Sequence, residues 1–193
     1  TATLNVQQGT MTLQADSDLI GLSIDGVAPL RKAAADALPL RFEKSMRNGQ
    51  DELAVTAGRL VGVRLERRRA GEQMALVRGV IALNEPANVP EQGMLVMINA
   101  PRFDVDAWAA WLGIGTEAAR TTTSADGDDL RIDHIALRTP ELLMSGRTFR
   151  NVTLGATLTE AGGYDANVVS EGIVGYVGWR PGARGAAGGA SLG

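Results

Sequence analysis

The sequence predicts a mainly β protein in which short strands follow one another as an antiparallel meander, with two short helices beside the sheet. Across residues 130–180, short alternating runs are separated by turn residues, as in strands joined by hairpins. In one run Val152, Leu154, Ala156 and Leu158 share one parity, which is the period of a half-buried strand. Such an apolar face needs a cover, either protein or a hydrophobic ligand such as a lipid chain.

The N-terminal strands are predicted from the same alternation. Residues 4–24 hold three short apolar runs divided by glycine and by an Asp-Ser-Asp turn, which predicts three strands. Leu40 and Phe42 begin another alternating run that ends at the turn signal of residues 47–50. In residues 61–65 the apolar side chains face one way and the charged side chains the other, as in a strand with one solvent-exposed face.

Each of the two helices has a sequence signal at its start. Pro29 and the alanines that follow predict one or two helical turns near 28–35, because proline suits a first turn and alanine favours helix. Asp104 before an alanine- and tryptophan-rich run and Gly113 after it predict a second helix near 104–113. The large apolar residues of the second helix share one face and are expected to pin it to the sheet rather than anchor it to a membrane or partner: Trp108, Trp111 and Leu112.

The centre and the end of the chain complete the predicted domain. Residues 74–83 and 94–98 are apolar on both parities, so we expect either central strands covered on both faces or an edge strand packed under a loop. The proline-containing residues 84–92 between them form a loop. We therefore expect a single mainly β domain over residues 1–180, followed by a flexible glycine-rich tail at 181–193.

Composition narrows the function classes. The chain has 193 residues, 45% of them hydrophobic, which is enough for a sizeable core. A net charge of −3 and 4% aromatic residues disfavour nucleic-acid binding. The absence of cysteine excludes disulfides, thiolate metal sites and a cysteine nucleophile. With no bilayer-length apolar run and no initial methionine, we expect a soluble excerpt of a longer protein.

No residue pattern predicts catalysis, a metal site or a cofactor. His134 is the one histidine, and no Gly-x-Ser-x-Gly motif accompanies it, so we expect a polar strand position. Asp126, Asp128 and Asp129 lack the later glutamate of a calcium loop and indicate a solvated acidic turn. The arginines at 67–69 could meet anionic head groups, but a solvated hairpin end is the simpler interpretation. We expect no enzyme activity, no metal and no cofactor.

Several sequence segments, which we call phrases, resemble the YhdP branch of the AsmA-like proteins, which are envelope proteins of Gram-negative bacteria. They are strand-and-turn phrases rather than catalytic motifs, so they indicate fold and family. The phrases are VAPLRKAAADALPLRFE at 27–43, VRLERR at 63–68, RGVIALNEPANVPEQGM at 78–94, FDVDAWAAWLG at 103–113, LRIDHIALRTPELLMSGRTFRNVTLGA at 130–156 and YDANVVSEGIVGYVGWRPGARG at 164–185.

The resemblance implies a β-taco-like fold, an antiparallel sheet curved around an apolar groove. It also implies a periplasmic location in a parent protein that an N-terminal helix tethers to the inner membrane. The implied activity is phospholipid transport between the inner and outer membranes, alongside TamB and related proteins of the superfamily. This chain would be an internal or C-terminal section, whose partners are phospholipid acyl chains and adjacent sections of the parent.

The expected lining of the groove consists of apolar residues from the alternating strands. The same residues could instead pack on one another or beneath the helices. A structural or assembly module without a ligand is the alternative function, and a hydrolase built around His134 is a third. The candidates are Leu40, Phe42, Val61, Val63, Leu65, Ile81, Leu83, Val152, Leu154, Leu158, Val177 and Trp179.

Overall fold

The computed structural model describes residues 1–7, 9–113, 131–180 and 189–192. These residues form thirteen strands in one sheet and one α-helix, so the predicted mainly β class is confirmed. Twelve strands lie side by side in chain order, and the short β8 pairs with β9 outside that row. The elements are β1 (Ala2–Gln7), β2 (Thr10–Ser17), β3 (Leu40–Arg47), β4 (Gln50–Ala57), β5 (Val61–Ala70), β6 (Gln73–Leu83), β7 (Gly93–Asn99), β8 (Phe103–Asp104), α1 (Val105–Trp111), β9 (His134–Met144), β10 (Arg147–Leu158), β11 (Tyr164–Ser170), β12 (Ile173–Arg180) and β13 (Gly189–Leu192).

Two parts of the sheet, β1 to β6 and β9 to β13, are antiparallel, and in each part every strand pairs with its neighbour in sequence. At the predicted turn of residues 47–50, Arg47 pairs with Gln50 across Asn48 and Gly49. Both central residues have positive φ, 49° and 75°, and asparagine followed by glycine is the pair best suited to that geometry. The turn signal therefore fixes both the hairpin and its register.

The centre of the sheet is parallel, so the prediction of a wholly antiparallel meander is wrong there. Strand β7 pairs in parallel with β6 on one side and with β9 on the other. Neither connection is a tight turn, because residues 84–92 separate β6 from β7 and β8 with α1 lies between β7 and β9. A connection long enough to cross the sheet lets the next strand start at the same end as the previous one.

Cross-strand partners share a face of the sheet, so the register assigns every strand residue to one side. One row runs across the sheet through partners that are almost all apolar. We call its side the apolar face and the opposite side the polar face. The row consists of Ser17, Leu40, Ala57, Val61, Leu83, Ile98, Leu137, Leu154, Val168 and Gly175.

The two crossover connections lie on opposite faces. Residues 84–92 pass over the polar face, where a Cβ on Gly62 would come within 2.9 Å of the Ala87 side chain. Strand β6 lies between β5 and β7, as predicted for a central strand, and beneath this loop Val80 and Ala82 are fully buried. On the apolar face of the same strand Ile81 is half-buried. The second connection places β8 and α1 against the apolar face, where Phe103 packs with Leu137 and Val152.

Two predictions for this region are wrong. No helix forms near 28–35, and residues 20–24 do not form a regular strand. The segment is irregular except for an antiparallel bridge between Ile24 and Lys32. Ile24 N donates to Lys32 O at 2.9 Å and Lys32 N donates to Ile24 O at 3.1 Å. Because the Lys32 amide is used across this bridge, it is not available for the i to i−4 bond of a helix.

The second helix is confirmed as α1, with Asp104 as its N-cap. The Asp104 carboxylate accepts a hydrogen bond from Ala107 N at 2.9 Å, as the sequence predicts. Trp108 stacks on Phe103 with ring centroids 5.5 Å apart and pins the helix to the sheet. Trp111 and Leu112 do not, since Trp111 is 46% exposed and Leu112 is exposed as well. The predicted shared role therefore holds for Trp108 alone.

Candidate functional site

The apolar face has a covered part and an uncovered part. Over β7 to β11, the helix and β8 bury it in a cluster that contains Leu137 and Val152. On β1 to β5 the apolar side chains of this face are half-buried or exposed, and none of them is buried. At the edge of the sheet Leu4 and Val6 are exposed. The part of the apolar face on β1 to β5 is thus accessible to solvent or to a ligand.

The register places all twelve predicted lining residues on this apolar face. Leu40, Val61 and Leu83 lie in the row that defines it, as does Leu154. The others lie on neighbouring rows of the same face: Phe42, Val63, Leu65, Ile81, Val152, Leu158, Val177 and Trp179. Their contact with lipid stays a prediction.

The twelve residues differ in what covers them. Val152 is 1% exposed and lies in the cluster beneath α1, and Leu154 packs against the same cluster, so protein covers both. Leu83 is also buried. Trp179 is placed by its backbone, and its side chain lies outside the described structure. The remaining residues are half-buried: Leu40, Phe42, Val61, Val63, Leu65, Ile81, Leu158 and Val177.

Three charged side chains on the apolar face of β3 to β5 lie together, and we call them the ion cluster: Lys44, Asp51 and Arg67. Asp51 is 2% exposed and accepts two hydrogen bonds from Arg67, at 2.8 Å from Nε and 2.7 Å from Nη2. Lys44 Nζ lies 3.5 Å from an Asp51 oxygen. The prediction that Arg67 is part of a solvated hairpin end is wrong, because its guanidinium turns onto the apolar face to meet this carboxylate.

No curated protein and no solved structure matches this chain. A family model described as YhdP protein matches residues 1–188. The chain belongs to the YhdP family. The resemblance inferred from the strand-and-turn phrases is therefore confirmed, and the family is one of AsmA-like envelope proteins. In the described part of this YhdP-family chain, no helix has both the length and the apolar character needed to cross a bilayer.

The ion cluster could have been anticipated from charged residues that break the apolar parity of two strands. In β3 of this YhdP-family chain the apolar parity reads Leu40, Phe42, Lys44, Met46. A charge on an otherwise apolar parity indicates a buried ion pair or a polar site, because an unpaired charge is costly to bury. Asp51 stands in the same way before Leu53 and Val55 in β4. The partner of each charge is set by the register, which the sequence shows only through the turn at 47–50.

The residues considered for catalysis or metal binding lie elsewhere. His134 is on the polar face of this YhdP-family sheet, with its Nδ1 3.4 Å from Thr157 Oγ1. The acidic run of Asp126, Asp128 and Asp129 lies outside the described residues. Within the described ranges, no three histidine, aspartate or glutamate side chains come together as a metal site requires.

The polar face of this YhdP-family sheet carries solvent-accessible ion pairs instead. Arg78 pairs with Glu66 at 2.6 Å, and Arg180 pairs with Asp165 at 2.7 Å. The hydrogen bond from Arg180, followed by one from Tyr176, holds the pKa of Asp165 below its usual value. A hydrated ionic face and the apolar face that carries the ion cluster therefore lie on opposite sides of one sheet.

Proposed function

We propose that this chain is a section of an envelope protein that transports phospholipid between the inner and outer membranes, and that its apolar face holds the acyl chains in a groove. The observation that supports this most is the uncovered part of the apolar face on β1 to β5. The chain would act in the periplasm, with adjacent sections of a longer parent protein continuing the path and anchoring it in the inner membrane. It would catalyse no reaction.

The physical case rests on replacing water with hydrocarbon. An acyl chain laid on half-buried valine, leucine and phenylalanine side chains removes apolar surface on both partners from water, at about 0.8 kcal/mol for each buried methylene. Backbone hydrogen bonds are already satisfied by strand pairing, so the sheet does not compete with the lipid for polar contacts. The polar face keeps its ion pairs in water. One sheet can then carry lipid on one side and remain solvated on the other.

The test is recovery of lipid with the purified chain, measured by native mass spectrometry and by lipid extraction after mild purification. We expect the native chain to retain phospholipid and Val63→Asp to lose most of it, because a carboxylate in the centre of the apolar face must be desolvated by the acyl chain. Arg64→Asp is the matched control, since it places the same group on the polar face of the same strand. Absence of lipid from the native chain, or equal loss in both variants, contradicts the proposal.

A structural or assembly module is the second candidate, and the edges of the sheet favour it. Among the described strands, β1 pairs only with β2, and β13 only with β12. Exposed edges can accept a strand from another section or from a partner. This candidate requires concentration-dependent association without lipid, whereas the transport candidate requires lipid on the apolar face.

A further inference from the structure

We propose that Lys44, next to the Asp51–Arg67 pair, binds the phosphate of a phospholipid whose acyl chains lie on the neighbouring apolar face. This inference rests on the proposed function and adds the position of the head group to it. The ligand is identified by two chemistries that meet at one place, an apolar sheet surface and an ammonium group beside an already occupied carboxylate.

The first argument is charge. Arg67 donates one hydrogen bond to each Asp51 oxygen, which is the bidentate geometry typical of strong guanidinium–carboxylate pairs. Lys44 reaches the same carboxylate only at 3.5 Å, longer than a charge-assisted hydrogen bond of about 2.8 Å. The three groups carry two positive charges and one negative charge. An anion beside Lys44 would therefore meet a net positive charge.

The second argument is position. On the apolar face Lys44 follows Phe42 along β3, and the row through Phe42, Val55 and Val63 is apolar. Successive side chains on one face of a strand are about 7 Å apart, so a chain lying on this row ends within reach of Lys44. Beyond Lys44 the strand reaches its turn at Asn48. A phospholipid placed this way keeps its head group toward the rim of the sheet.

The third argument is access. Asp51 is buried, but the Lys44 side chain is 31% exposed, so the ammonium can exchange water for a phosphate oxygen without unfolding the hairpin. A lysine that served only to staple strands would gain most from a short hydrogen bond to its carboxylate. Asp51 cannot accept all three hydrogens of the ammonium, so Lys44 keeps donor capacity for a phosphate oxygen.

The experiment compares two lipids with identical acyl chains, phosphatidylglycerol and diacylglycerol, which differ in the phosphate-containing head group. Binding to the purified chain is measured by native mass spectrometry. We expect Lys44→Gln to weaken retention of phosphatidylglycerol about tenfold, the ratio for loss of one charge-assisted hydrogen bond, and to leave diacylglycerol unchanged. Lys44→Arg should keep the preference, because it keeps the charge.

Arg64→Gln, which removes a cation from the polar face of β5, is the matched control and should alter neither lipid. Thermal unfolding of each variant shows whether the fold persists. Equal loss of both lipids in Lys44→Gln, or no loss of phosphatidylglycerol, overturns the head-group assignment while the proposed function stands. If the native chain retains neither lipid, the proposed function fails and this inference fails with it.

Discussion

Lys32 lies three residues after Pro29 and directly before three alanines, yet it is only 7% exposed. Its ammonium donates to the carbonyl oxygens of Leu19 at 2.8 Å, Leu22 at 2.7 Å and Ala33 at 3.0 Å. Helix propensity is a weak preference for each residue, and three hydrogen bonds from a charged donor outweigh it here. Two of the acceptors lie at least ten residues earlier in an irregular segment, so local sequence patterns cannot predict them.

We expect Lys32→Met to lower the free energy of unfolding by about 2 kcal/mol, because carbonyls that accepted from a charged donor lose that partner. Urea denaturation measures the loss, and hydrogen exchange of the amides in residues 18–38 shows where it acts. Arg31→Met is the control, since Arg31 is exposed beside it. Equal destabilisation by the two substitutions would show that Lys32 does not organise this segment.

The face of each strand residue could be predicted because its cause is local. Val61, Val63 and Leu65 alternate with charged residues, and the pleat alone puts them on one side. Arg67 continues the same parity, but its arginine neighbours favoured a solvated end. The carboxylate that draws it inward is Asp51, sixteen positions earlier, and only the register of β4 against β5 brings the two together.

At the scale of elements, hairpins were predictable and the partners of the central strands were not. Asn48 and Gly49 specify a two-residue turn, and the turn sets which residues of β3 and β4 pair. Residues 94–98 are apolar on both parities, which predicts a buried strand but not the direction of its neighbours. The parallel pairing of β7 depends on where residues 84–92 return the chain, and no short pattern encodes that path.

The hairpin of β11 and β12 should lose stability in acid through Asp165. Hydrogen bonds from Arg180 and Tyr176 lower its pKa from the usual 3.8. A lowered pKa stabilises the fold above the unfolded value of 3.8 and loses that contribution as the pH falls through the folded pKa. We expect Asp165→Asn to be less stable than the native chain at pH 6 and to approach it at pH 3, as urea denaturation can measure. A constant difference across this range would contradict the assignment.

At the scale of the molecule, the sheet is broad and unclosed among its described strands, and we expect its edges to govern any association. Strand β1 is exposed along its length and presents Leu4 and Val6 on the apolar face. Unpaired backbone beside exposed apolar side chains is a template for strand addition. Nothing in the alternating pattern distinguishes an edge strand from a central one, so this exposure could not be predicted from β1 itself.

We expect Leu4→Lys to reduce concentration-dependent self-association, because charge on an edge strand opposes edge-to-edge pairing. Light scattering after size-exclusion chromatography at increasing concentration measures the effect. Val169→Lys is the control, because it also removes an exposed apolar side chain, but from β11, where Val169 pairs with Thr153 of β10 on one side and with Val174 of β12 on the other. If both variants reduce association alike, general surface hydrophobicity rather than the β1 edge is the cause.

The parallel centre also affects how the chain reaches its native state. Strands β1 to β6 and β9 to β13 pair with neighbours in sequence, and the tight hairpins among them, such as the one between β3 and β4, close with little loop entropy. Strand β7 must find β9 across the intervening connection, where Leu95 pairs with His134. Pairings between sequence-distant strands are slow to form. We therefore expect the pairing of β7 at the middle of the sheet to limit the rate of folding.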